Sequence, residues 1–182
     1  EARYGEIAVE SLDGSVRLVY TVYQHAALNS QSDDIRKALI DLYNSTDGDR
    51  WTWNDNWCSD LPLSEWYGIT TNKEAGISDD DGVARIALSN NNLTGTIPSS
   101  IGLLSGVWTG ISLSSNHISG TLPKEAFRLE TLDLGNNEID AIEAPDDPSG
   151  IMAIHIYLDN NRISGPLPEY LGYSPVLRNL RL

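Results

Sequence analysis

The sequence contains three histidines and one cysteine, which are the side chains most suited to metal binding or nucleophilic catalysis. His25, His117 and His155 share no metal-ligand spacing, and no histidine lies close enough to Cys58 in sequence to act as its base. The run SDDDG at residues 78–82 offers carboxylates, but it lacks the spaced ligands and the final glutamate of an EF-hand calcium loop. There is no G-x-S-x-G, phosphate-loop or HExxH motif. We therefore expect no catalytic residue, no metal site and no cofactor, and we interpret Cys58 as a small buried side chain.

The net charge of the protein excludes some classes of binding partner. The 182 residues include 26 acidic and 12 basic side chains, which gives a net charge of −14 and an isoelectric point near 4.3. Such a surface repels phosphate backbones and anionic lipids, so we expect no binding to nucleic acid. No apolar run approaches the ~18 residues that a membrane span needs, so we expect no direct membrane insertion.

A short motif recurs along the second half of the chain. Its copies start at residues 86, 111, 132, 156 and 180, so successive starts are 25, 21, 24 and 24 residues apart. Apolar residues alternate within each copy, which predicts a short strand with one buried face. A coil of this length cannot bury its apolar side alone, so we expect the coils to stack around a shared core. The copies read IALSNNNLTGTIP, ISLSSNHISGTLP, LDLGNNEIDAI, IYLDNNRISGPLP and LRL.

In each of the first four copies an asparagine lies three places after the strand, where the chain must turn. An amide both donates and accepts hydrogen bonds, so it can satisfy backbone groups of adjacent coils. We predict a buried structural ladder formed by Asn91, Asn116, Asn137 and Asn161.

These residues resemble plant-type leucine-rich repeats, whose consensus reads LxxLxLxxNxLxGxIPxxLGxL. The resemblance implies an α/β repeat solenoid, coiled right-handed with a parallel sheet, that recognises protein or peptide on the outward side of its strands. Residues 83–182 would form about four and a half such repeats. The third copy departs from the consensus, because Ala141 replaces the glycine and residues 143–150 (EAPDDPSG) replace the usual return. We therefore expect an irregular convex side at this coil.

The segment before the repeats combines a helical pattern with a cluster of tryptophans. Residues 33–44 place apolar side chains on one helical stripe, with Ser32 as the expected N-cap. A solenoid needs a unit that covers the end of its core, and residues 45–71 hold four of the five tryptophans. Residues 30–82 resemble the N-terminal cap of leucine-rich-repeat proteins, in the cysteine-poor version of bacteria and of protists such as algae. The predicted cap core consists of Trp51, Trp53, Trp57 and Trp66.

The two ends of the chain lie outside this pattern. Residues 1–29 are predicted as a β-hairpin extension, because apolar and polar residues alternate on both sides of Asp13-Gly14, a dipeptide that favours a tight turn. The sequence stops one strand into its fifth copy, so we expect that end to be covered by more chain or by a partner.

The outward positions of the repeat strands are the candidate binding surface. We call it the strand surface, and it is the concave face of such a solenoid. Its first half carries small side chains and its second half larger ones. Tyrosine and arginine are favoured anchors at interfaces, which supports a binding role for the second half. The candidate binding residues are Arg85, Asp133, His155, Tyr157, Asp159 and Arg181.

The sequence therefore predicts a non-catalytic module that binds a protein or peptide. Two alternatives stay open, a structural or scaffold subunit of a larger assembly and the ectodomain fragment of a receptor-like protein. We set ice binding aside, because the outward positions are mixed rather than a regular array of Thr or Asn. Asn44 and Asn92 stand in N-x-[ST] triplets, which are possible glycosylation sites in a secreted protein. A secreted, extracellular or organelle-lumen location is accordingly favoured over the cytoplasm.

Overall fold

The chain divides into two compact units, Glu1–Ile35 and Arg36–Leu182. The computed structural model describes residues 5–10, 17–22, 24–78, 82–107, 110–143, 145 and 150–182. The first unit contains strand β1 (Gly5–Glu10), which pairs antiparallel with strand β2 (Arg17–Val22). Both strands lie where the alternation predicted them. The predicted turn at Asp13-Gly14 and residues 79–81 of the SDDDG run lie outside the described residues.

Helix α1 spans Gln24–Ser45 and starts earlier than the sequence pattern indicated. Ser32 therefore lies inside the helix, and its prediction as the N-cap is wrong. No glycine or proline interrupts residues 24–45, and their alanines and leucines favour the helix, so nothing stops it at the serine. The predicted boundary between residues 29 and 30 also falls within α1. In the second unit the apolar stripe of α1 is fully buried at Ala38, Leu39 and Leu42.

Six strands form the main sheet of the second unit. In sheet order they are β3 (Ile69–Thr71), β4 (Val83–Ala87), β6 (Ile111–Ser112), β8 (Thr131–Asp133), β10 (His155–Tyr157) and β11 (Asn179–Arg181). The five strands from β4 to β11 come one from each copy of the motif, and they run parallel and in register. This arrangement confirms the predicted solenoid. Strand β3 pairs antiparallel with β4 and was not predicted.

A second sheet follows the ladder asparagines. It consists of the parallel strands β5 (Thr94–Gly95), β7 (His117–Leu122) and β9 (Glu138–Ile142). The pairing of β7 with β9 shifts so that Asp140 is skipped. The return segment of the third copy, where an irregular convex side was predicted, lies mostly outside the described residues. In the first, second and fourth copies the return path is a 3-10 helix that begins directly after the proline, at Ser99–Leu104, Lys124–Arg128 and Glu169–Tyr173.

The inward side chains of the repeats form one core. In the first copy Ile86, Leu88 and Leu93 are completely buried, and the equivalent residues of the next three copies are at most 1% exposed, except Ile163 of the fourth copy, which is partly exposed. Burial of each such side chain contributes roughly 1.5–3 kcal/mol. Stacking therefore stabilises the fold, and it leaves the outward positions of the same strands free to vary. The other equivalent residues are Ile111, Leu113, Ile118, Leu132, Leu134, Ile139, Ile156 and Leu158.

Candidate binding surface

The ladder asparagines join each coil to the one before it. Asn116 is only 6% exposed. Its Oδ1 accepts the backbone N–H groups of Asn91 at 2.9 Å and Leu93 at 3.1 Å, both in the preceding coil. Its Nδ2 donates to the carbonyl oxygens of Leu88 at 2.9 Å and Leu113 at 2.8 Å. One amide thus bonds to two buried donors and two buried acceptors, and the Leu113 carbonyl oxygen also accepts from Nδ2 of Asn137 at 3.1 Å.

The other rungs follow the same rule. The Oδ1 atoms of Asn137 and Asn161 accept backbone N–H groups of their preceding coils at 3.0 and 2.9 Å. Asn91 instead bonds to the cap, because its Oδ1 accepts the Trp53 N–H at 2.7 Å and its Nδ2 donates to the Trp53 carbonyl at 2.9 Å. The ladder therefore fixes the relative position of strands and cap. Each rung follows a residue with left-handed backbone, at φ between 55° and 58°, namely Asn90, Ser115, Asn136 and Asn160.

Three of the four tryptophans predicted as the cap core are buried. Trp51, Trp57 and Trp66 are at most 7% exposed. The Trp57 ring packs against both of the others, with its centroid 4.8 Å from that of Trp51 and 5.2 Å from that of Trp66. Trp53 is 43% exposed, so its assignment to the core is wrong. The chain turns this side chain to the surface, where its ring stacks on that of Tyr67 at 5.8 Å.

The sheet register arranges the strand surface in rows. Asp133, Tyr157 and Arg181 occupy equivalent positions on β8, β10 and β11. His155 on β10 and Asn179 on β11 also occupy equivalent positions, two residues before Tyr157 and Arg181. The structure therefore brings most of the candidate residues together on three adjacent strands. Arg85 lies apart from them, because it is on β4 with β6 in between.

The larger side chains of the strand surface form a connected group. The guanidinium carbon of Arg181 lies 4.9 Å from the centroid of the Tyr157 ring. The imidazole of His155 is within 2° of parallel to that ring, with centroids 6.3 Å apart. The Nδ2 atom of Asn179 lies 2.8 Å from Nδ1 of His155, within hydrogen-bond distance. We call His155, Tyr157, Asn179 and Arg181 the Tyr157 cluster.

The first half of the strand surface is lined by hydroxyl groups. The Oγ atom of Ser89 lies 2.7 Å from that of Ser112 and 3.1 Å from that of Ser114. Ser112 also donates to Oδ2 of Asp133 at 3.3 Å. Another polypeptide could approach this half closely, because the side chains are short and already hydrogen-bonded to one another.

Two carboxylates border a gap next to the Tyr157 cluster. Asp133 and Asp159 both flank Gly135, where a side-chain carbon would lie 3.4 Å from an oxygen of each. Oδ1 of Asp133 accepts the Gly135 N–H at 3.0 Å, and Asn160 donates to Asp159 at 3.3 Å. No lysine or arginine forms an ion pair with either carboxylate within the described ranges. In that part of the chain, both carboxylates are therefore bonded by neutral donors rather than by a cation.

The remaining candidate residues lie elsewhere. Cys58 is exposed rather than buried, so its interpretation as a core residue is wrong. Its backbone has a left-handed φ of 60° in a turn. Partial burial of the thiol, with the negative charge of Asp49, raises the pKa of Cys58. Asn44 and Asn92 are both exposed, and Asn92 donates to the carbonyl oxygen of Arg50 at 2.9 Å.

A family model described as Leucine Rich Repeat matches residues 84–104 and 154–174, which include the strands of the first and fourth copies. The first and fourth copies are leucine-rich repeats. No curated protein sequence matches the chain significantly. In the described part of the chain no helix is long and apolar enough to cross a membrane, and no three His, Cys, Asp or Glu side chains are grouped as a metal site requires.

Several solved structures are similar to this chain. The PEPR1-AtPEP1 crystal structure is 28% identical with a TM-score of 0.60; the match covers 81% of this chain and 20% of that one. This chain thus spans about one fifth of that relative. The BIR2 ectodomain from Arabidopsis thaliana is 26% identical with a TM-score of 0.59. The match covers 79% of this chain and 76% of the BIR2 chain. A plant ice-binding protein, 20% identical with a TM-score of 0.59 and 82% and 47% covered, shares the fold alone.

Proposed function

We propose that this leucine-rich-repeat chain is a non-catalytic module that recognises a protein or peptide partner on its strand surface. The Tyr157 cluster is the observation that carries the proposal. Tyrosine and arginine are the side chains most often found at the energetic centre of interfaces. Here Arg181 and His155 already hold the Tyr157 ring, so a partner would have little side-chain freedom left to remove.

The surroundings of the Tyr157 cluster support a polypeptide partner. The Ser89, Ser112 and Ser114 hydroxyls form a low surface on one side, and the Asp133 and Asp159 carboxylates lie between that surface and the cluster. The partner would be expected to offer a positively charged group to the carboxylates and apolar area to Tyr157. A nucleic acid does not fit, because the whole chain carries a net charge of −14.

The location that we propose is extracellular. The BIR2 ectodomain is similar in fold and in length, which supports a comparable setting for this chain. Two exposed triplet asparagines, Asn44 and Asn92, agree with secretion. The resemblance of residues 30–82 to the cysteine-poor cap, and coverage of the β11 edge by further chain or by a partner, stay predictions.

The experiment compares two matched double variants of the full chain. Tyr157→Ala with Asp159→Asn removes a ring and a charge from the strand surface. Tyr173→Ala with Glu169→Gln makes the same chemical change on an exposed tyrosine and its 3.3 Å hydrogen-bond partner on the 3-10 helix Glu169–Tyr173. A partner is captured from the native source, identified by mass spectrometry and titrated in purified form against both variants.

We expect the strand-surface variant to weaken binding at least about 30-fold, which corresponds to the roughly 2 kcal/mol loss of an interface hot spot. The control variant should bind as the original chain does. Equal affinity of both variants would refute recognition by the strand surface. Loss of binding on removal of residues 1–22 alone would instead favour the scaffold alternative.

A further inference from the structure

The Trp53–Tyr67 pair is the largest aromatic surface of the cap that the core does not use. Trp53 is 43% exposed and Tyr67 is 38% exposed. Their rings stack with an interplanar angle of 25°. An exposed tryptophan next to an exposed tyrosine is unusual on a soluble surface unless it contacts something.

The main chain on both sides of the pair is held in place by the cap. The Trp53 N–H and carbonyl groups both bond to the side chain of Asn91, at 2.7 and 2.9 Å. The Tyr67 N–H donates to the carbonyl oxygen of Asp55 at 3.1 Å, and the buried Trp57 indole donates to the Tyr67 carbonyl at 2.9 Å. The two rings are therefore presented from a fixed backbone, which lowers the entropic cost of binding on them.

The chain around the pair is strongly acidic. Residues 47–65 contain five carboxylates, Asp47, Asp49, Asp55, Asp60 and Glu65, and one base, Arg50. Arg50 is already within 3.3 Å of Asp47. The hydrogen bond from the Tyr67 N–H to the Asp55 carbonyl oxygen brings the main chain of Asp55 next to that of Tyr67. A cation that approaches these rings is attracted by this charge as well as by the rings.

Two other aromatic rings of the chain each have an arginine side chain over their face. Arg36 lies over the Trp66 ring at 5.0 Å, and Arg181 lies over the Tyr157 ring at 4.9 Å. Among the residues that the structure describes, no arginine or lysine lies over Trp53 or Tyr67. We propose that the Trp53–Tyr67 pair docks an arginine or lysine side chain of a partner protein, whose charge rests on the ring faces and is balanced by Asp55 and neighbouring carboxylates.

This site is separate from the Tyr157 cluster and does not depend on its function. The test titrates a tetra-arginine peptide against the ¹⁵N-labelled chain and follows the indole N–H resonances. The Trp53 resonance is assigned by its loss in Trp53→Phe. We expect the Trp53 resonance to shift on titration, while those of Trp51, Trp57 and Trp66 do not.

Substitution of Trp53 separates the ring effect from general attraction to an acidic protein, because it leaves the net charge unchanged. We expect Trp53→Ala and Trp53→Leu each to weaken binding about two- to five-fold, since an exposed cation–π contact contributes that factor and a leucine has no π face. Trp53→Phe should keep part of the affinity, and Tyr173→Ala, at an exposed tyrosine outside both surfaces, should keep all of it.

Three results would overturn the proposal. The first is equal affinity of the original chain and Trp53→Ala for tetra-arginine. The second is full affinity of Trp53→Leu, which would indicate simple apolar contact. The third is a Trp53 shift with a neutral oligosaccharide but not with tetra-arginine, which would make the pair a sugar platform. Circular dichroism of each variant checks that the fold is retained.

Discussion

Replacement of Asn116 by alanine tests whether the ladder stabilises the solenoid. The substitution removes an amide that is 6% exposed and that accepts two backbone N–H groups, from Asn91 and Leu93. Among the described residues, Oδ1 of Asn116 is the acceptor of both N–H groups. The two carbonyl oxygens that the amide contacts also lose a donor.

The magnitude follows from these contacts. A buried donor left without a partner costs about 1–3 kcal/mol, so two of them cost roughly 2–6 kcal/mol. For a chain of this size we expect a fall in Tm of about 2–4 °C per kcal/mol. Asn161 accepts only the N–H of Ile139 and is partly exposed, so Asn161→Ala should cost roughly 1–3 kcal/mol.

The assay is urea unfolding of the two variants, followed by circular dichroism and tryptophan fluorescence. Asn44→Ala is the control, because Asn44 is exposed and its loss should stay within about 0.5 kcal/mol of the original stability. A loss below about 1 kcal/mol for Asn116→Ala would refute the reasoning. So would a greater loss for Asn161→Ala than for Asn116→Ala.

Two further predictions concern the backbone and pH. Gly95→Ala should cost about 2–5 kcal/mol in unfolding measurements, because φ is +129° and the new carbon would collide with the Ser45 carbonyl oxygen. Gly165→Ala, at φ +95° with no atom within 4 Å, should cost only about 1–2 kcal/mol; equal losses would contradict this account. Hydrogen bonds from the Thr71 N–H and hydroxyl hold the pKa of Glu74 below its ordinary 4.5. This stabilisation is present above that pH and is lost as the pH falls through the folded-state pKa. The stability difference between the original chain and Glu74→Gln should therefore shrink below pH 4.5, and a constant difference would refute the linkage.

The repeat architecture could be predicted from the sequence because the recurring apolar residues that mark each copy are the residues that form the core. Every Leu-x-Leu segment must turn the same side inward, so its spacing reports directly on stacking. The rungs were also predictable, because an asparagine recurs at the same place in each of the first four copies and its amide can both donate and accept at the turn. Strand β5 could not be predicted, because Thr94 and Gly95 lie after the Leu-x-Leu segment and show no alternation of apolar residues.

The cap was harder to predict, because its tryptophans lie in turns rather than on a periodic element. Composition showed that aromatic rings gather there, but not that Trp53 would point away from Trp51. The start of α1 was missed because a serine before two aspartates matches an N-cap, yet the preceding residues also favour helix. The Tyr157 cluster was only partly predicted: Tyr157, His155 and Arg181 stood out as residue types, whereas Asn179 joined them only through the register.

The ladder sets the order in which the coils can fold during translation. Each coil is completed by an asparagine that belongs to the following coil, so a coil emerging from the ribosome is unfinished until its successor has been translated. At about 5–20 residues per second, a repeat of some two dozen residues takes roughly one to five seconds to arrive. The nascent solenoid therefore closes stepwise behind the growing end, and chaperone contact would be needed most at whichever coil is newest.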